Sequence, residues 1–85
     1  MKEFKYVITD SQGIHARPAG EMVKLAKTFN SAIFLKKDDK SGDCKKIFTI
    51  MALGVKCGNE VTLTFEGEDE EQAMNAFSDF MKQNM

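Results

Sequence analysis

The chain has 85 residues, 42% of them hydrophobic and 29% charged, a balance that belongs to a globular protein and excludes a disordered one. Its 12 basic and 13 acidic residues leave a formal net charge of -1, which argues against nucleic-acid binding, a role that needs a strong basic excess. Chains divide only beyond about 250 residues, and a membrane span needs about 20 consecutive apolar ones; one domain over residues 1–85, with no membrane insertion, is expected.

The N-terminus "MKEFKYVITD" alternates apolar Phe4, Tyr6 and Ile8 with Lys5, Val7 and Thr9, the period of a strand and not of a signal peptide. "DSQG" (10–13) reads as a turn. From Ala16 the period changes: Ala19, Met22, Val23 and Ala26 fall on one side of a helix, and Arg17, Gly20, Lys24 and Lys27 line an adjacent side. "SAIFLKK" (31–37) is strand-like, "DDKSGD" (38–43) is a polar turn, and a short third strand around Cys44 would complete a hairpin.

"KIFTIMALG" (46–54) is too short for its period to decide between helix and strand. "EVTLTFEG" (60–67) is the clearest strand, with Val61, Leu63 and Phe65 on one face. "EDEEQAMNAFSDFMKQ" (68–83) is the clearest helix: Asp69 is its expected N-cap with Gln72 three places on, and Ala73, Ala76, Phe77, Phe80 and Met81 form the apolar stripe. The order β-α-β-β-(α)-β-α packs most simply as one antiparallel sheet with helices on one face. Cys44 and Cys57 lack metal-type spacing, and one bridge would be a sparse framework for a secreted domain; both are expected as reduced thiols in a cytoplasmic protein.

The stretch "GIHARPAG" (13–20) holds the chain's one histidine and one proline, with Arg17 between them. A helix beginning near Ala16 puts His15 at the N-cap. The first backbone N–H groups of a helix have no partner within it, and Pro18 in the first turn loses nothing by lacking one. Those amides, the positive end of the helix dipole and the Arg17 guanidinium converge near the ring and form an anion site, with phosphate the anion such sites most often hold. If a ring nitrogen took a phosphoryl group, the same donors would stabilise its charge. Spacing alone leaves a second reading open, in which His15 is only a cap or surface residue. One histidine and two distant cysteines supply too few ligands for a metal site, and no nucleophile and orienting acid can be placed for a hydrolase.

"GIHARPA" (13–19), "IMALGV" (50–55) and "GEDEEQA" (67–73), in register along nearly the whole chain, resemble the histidine-containing phosphocarrier (HPr) family of the bacterial phosphoenolpyruvate:sugar phosphotransferase system. The resemblance implies an α+β fold, an open-faced β-sandwich with a four-stranded antiparallel sheet and three helices on one face, in which "KIFTIMALG" is a short helix. It places the phosphorylated histidine on His15, the phosphate-stabilising arginine on Arg17 and the helix-shaping proline on Pro18. It places an apolar docking patch on Gly20, Ile47, Phe48 and Met51, with a basic rim at Lys24 and Lys27.

The implied role is that of a monomeric carrier, without cofactor and not itself an enzyme. It would take phosphate from enzyme I and pass it to the IIA component of a sugar permease. The alternative is a regulatory module of the same fold that docks on a transcription factor or metabolic enzyme; it would have no need of His15 and Arg17. Ile47, Phe48 and Met51 would pass equally well as core, whereas Ile50 and Leu53 are the better core candidates if the segment is helical. In Gram-positive members a regulatory serine stands just before the patch, and this chain has Lys46 there.

Overall fold

The alternation of apolar and polar residues along the strands makes one face of a sheet apolar, and that face has to be covered. The computed structural model describes residues 1–85, in the order β1 (Lys2–Val7), α1 (Ala16–Ala26), β2 (Ala32–Lys37), β3 (Lys40–Asp43), α2 (Ile47–Met51), β4 (Glu60–Glu66) and α3 (Glu70–Asn84). The strands form one four-stranded antiparallel sheet in the spatial order β1-β4-β2-β3. Its register is visible in a row that crosses every strand, Phe4–Leu63–Leu35–Gly42. Leu63 and Leu35 in that row are fully buried, and in the next row, on the other face, Lys5, Lys36 and Ser41 are exposed and Thr62 is half-buried.

The three helices lie on the apolar face. Ala19, Met22 and Ala26 of α1, Ile50 of α2, and Ala73, Phe77 and Met81 of α3 meet Ile33, Leu35, Val61, Leu63 and Phe65 of the sheet in one core. Phe77 packs on Phe65 with ring centroids 5.7 Å apart, a tilted pairing that adds to their burial. Of the expected α3 stripe, Ala73, Phe77 and Met81 are buried, while Ala76 and Phe80 sit at its half-buried border. The short α2 is set by a close approach: a Cβ on Gly42 would stand 2.5 Å from the Thr49 carbonyl oxygen, so only glycine lets this helix rest on β3.

Two expectations are corrected. The third strand is Lys40–Asp43 and ends before Cys44; the turn is only Asp38-Asp39, between the paired Lys37 and Lys40. Asp38 makes this tight turn by adopting φ 57°, a left-handed conformation that aspartate tolerates better than most residues. Pattern could not locate a strand as polar as "KSGD" because its ladder is made by backbone. Asp69 is the N-cap of α3, but its side chain caps nothing in that helix. Its carboxylate instead accepts from the Asn30 amide at 2.8 Å, the Ser31 amide at 2.9 Å and the Ser31 hydroxyl. The reach back at this helix start is made by Glu70, which accepts from the Gly67 amide at 3.1 Å.

Candidate anion site at His15

The loop that carries His15 is built on its neighbours before it reaches α1. Asp10 opens a turn in which its carboxylate accepts from the Gln12 amide at 2.8 Å and its carbonyl from the Gly13 amide at 3.0 Å. Gly13 takes φ 66°, and a Cβ there would stand 2.3 Å from the Val55 carbonyl oxygen. That carbonyl then accepts from the Ile14 amide at 3.1 Å, and the Ile14 side chain is buried. The loop is therefore pinned one residue before the histidine. On its other side, the amides of Thr9 and Asp10 both donate to the Met85 carbonyl oxygen.

His15 is the N-cap of α1, in an extended conformation (φ -103°, ψ -174°). Its carbonyl accepts the first intrahelical bond, from Ala19 at 3.0 Å, and its half-buried ring makes no capping bond. Pro18, the third helical residue, is buried and has no N–H to satisfy, so the amides of Ala16 and Arg17 are the free donors of this helix start. No acidic residue occupies the first turn to consume the dipole's positive end. The exposed Arg17 is likewise unpaired: the chain's ion pair joins the N-terminal ammonium to Glu70, at 3.3 Å. Asp10, His15, Arg17, Pro18, Glu21 and Asn84 line an open cleft of about 190 Å³. Spacing points to the start of α1, and Glu21, four residues after Arg17 on that helix, could have been found from the same helical repeat; Asn84 is brought there by chain folding alone.

Of the residues expected as a docking patch, two meet across the seam between α1 and α2. Gly20 of α1 and Ile47 of α2 face each other, with a Cβ on Gly20 falling 4.0 Å from the Ile47 Cδ1. Ile47 is half-buried against the core, Phe48 is 83% exposed and Met51 38% exposed. Lys24 and Lys27 lie exposed further along α1, and Lys46, the N-cap of α2, is exposed as well. Ile50 and Leu53 are buried, so α2 turns one face to the core and another to solvent.

Comparison with known proteins bears on this site. A family model described as "PTS HPr component phosphorylation site" matches residues 2–83. A phosphocarrier protein HPr of Mycoplasma capricolum is 40% identical over 81 residues, covering 95% of this chain and 91% of that protein. The HPr-like protein Crh of Bacillus subtilis is 36% identical over 85 residues and both full lengths. The crystal structure of an HPr from Thermoanaerobacter tengcongensis superposes with a TM-score of 0.93 at 44% identity, over 98% of this chain and 93% of that one. An HPr dimer from the same organism matches with a TM-score of 0.77. No helix of this chain is long and apolar enough to cross a membrane. With the fold, the N-cap histidine and these similarities in agreement, the chain belongs to the HPr family of phosphocarriers of the phosphotransferase system.

Proposed function

We propose that this protein is a cytoplasmic single-domain phosphocarrier that accepts a phosphoryl group on His15 from enzyme I and delivers it to IIA components of sugar permeases. The observation that carries this reading is the uncapped ring of His15 at the start of α1, beside two free amides and an unpaired arginine. A nitrogen of the imidazole attacks phosphorus, and the bond to the donor breaks with its electron pair left on the donor. In this reading the Ala16 and Arg17 amides and the guanidinium donate to the new phosphoryl oxygens and offset their charge. Pro18 fixes the backbone of the first turn without competing for the anion. Delivery is the reverse step on a second partner, so the protein is recharged each cycle and turns over no substrate of its own.

Docking in this reading uses Gly20, Ile47, Phe48 and Met51 as an apolar contact, with Lys24 and Lys27 attracting acidic partner surfaces. The regulatory alternative is disfavoured by the retained His15 and Arg17, which a pure docking module would not use. The test is incubation with phosphoenolpyruvate and enzyme I, followed by intact mass. One acid-labile phosphoryl group is expected on the parent protein and none on His15→Ala. Arg17→Ala should slow transfer while leaving stability level or raised by about 0.3–1 kcal/mol, because a cation at a helix start is mildly unfavourable. Equal labelling of His15→Ala would overturn the assignment.

A further inference from the structure

The cleft at His15 contains two carboxylates as well as the Arg17 guanidinium. One is committed: Asp10 accepts from the Gln12 amide and holds the turn that leads to the histidine. The other, Glu21, is exposed and enters into no ion pair. It follows Arg17 by four residues on α1, a spacing that sets Cβ atoms about 5–6 Å apart. An acid on the C-terminal side of its cation is the weaker orientation of such a pair, and the two do not close a salt bridge here. The negative charge of Glu21 is therefore not cancelled by Arg17, and it borders the same space as the ring.

We propose that Glu21 raises the transfer potential of the phosphoryl group on His15, its carboxylate repelling the oxygens that Arg17 attracts. The inference rests on the carrier reading. A phosphoryl group brings up to about two negative charges, and Arg17 without an opposing carboxylate would hold it more firmly. Glu21 offsets part of that attraction from a fixed position on the helix, without touching the reacting bond. Because the cleft is open, the effect is screened by salt, over a length of about 10 Å at 0.1 M ionic strength.

The measurement is a phosphoryl exchange between two forms of the intact protein. Isotope-labelled parent, loaded on His15, is mixed with an equal amount of unphosphorylated variant and a trace of enzyme I. The phosphorus–nitrogen bond on one imidazole breaks as another forms on the second, so the final distribution by mass spectrometry reads the difference in transfer potential directly. At low salt, Glu21→Gln should hold the group about two- to fivefold in excess of the parent, and Glu21→Lys more, in line with the effect of a single charge at a helix start. Glu21→Asp should stay closer to the parent, and high salt should bring every ratio toward unity. An even distribution for Glu21→Gln at low salt, or an excess that salt leaves unchanged, overturns the inference while the carrier reading stands. No phosphoryl group on His15 of the parent overturns both.

Discussion

Gly20 and Ile47 meet across the seam between α1 and α2, the glycine leaving a separation at which even an added Cβ would lie 4.0 Å from the isoleucine Cδ1. The seam brings the solvent face of α2 alongside the helix that starts at His15. On that face Phe48 is 83% exposed, a position that costs solvation without contributing to the core, whereas Ile50 two residues later is fully buried. Phe48→Ala should therefore change stability by about 0.5 kcal/mol or less, and Ile50→Ala should lose about 2–5 kcal/mol. Urea melts of the two variants check this, and Phe48→Asp should weaken binding to enzyme I with the fold intact. A loss of several kcal/mol from Phe48→Ala would make it a core residue.

The junction between α1 and β2 should be sensitive to acid. Hydrogen bonds from the Ser31 hydroxyl, and then from the Asn30 and Ser31 amides, hold the Asp69 carboxyl below its ordinary range. A carboxyl with a lowered folded-state pKa contributes stability that is present above its unfolded pKa, near about 3.9, and is lost as pH falls through the folded value. Asp69→Asn should therefore be less stable than the parent at pH 7, with the gap closing below pH ~4. Melts across that window decide; a gap independent of pH would mean that shape, and not ionisation, matters at this site.

The two thiols should differ sharply in reactivity. Burial pushes Cys44 up to about 12, with neighbouring Asp43 adding to the shift, and the thiolate is the reactive form. Cys57 is exposed. Alkylation of the native protein near neutral pH should label Cys57 alone, and Cys57→Ser should take up label only on unfolding. Rapid modification of both residues would show that the core around Cys44 opens readily.

Lys46 should leave the protein without the seryl switch that the resemblance to Gram-positive members implies. It is the exposed N-cap of α2 and has no hydroxyl to accept phosphate, and its charge is opposite to that of a phosphorylated side chain. The neighbouring Thr49 hydroxyl is engaged by the carbonyls of Asp43 and Lys46, at 2.8 and 2.7 Å. Incubation with the regulatory kinase and ATP should give no acid-stable label, and Lys46→Ser should gain one. Stoichiometric label on Ser41 or Thr49 of the parent would mean that the switch has moved along the chain.

Where a segment is long enough to repeat its period, sequence alone determined both its type and its buried face. The alternation of Val61, Leu63 and Phe65 specified β4, and the stripe through Ala73, Phe77 and Met81 specified α3, because burial on one side is a local consequence of the backbone repeat. The change of period at Ala16 likewise put His15 at a helix start, which is why its free amides were foreseeable. Only tertiary structure decided the rest. Five residues of α2 complete too few turns for their period to decide between helix and strand; once helical, the segment buries Ile50 and Leu53 as expected, and Gly42 lets it settle on β3. Asp69 looked like a cap because its neighbours in sequence suit one, yet its carboxylate serves Ser31, 38 residues away, since the fold brings that amide and hydroxyl within its reach. Asn84 shares the His15 cleft for the same reason: residues distant along the chain become neighbours through packing, which no local period records.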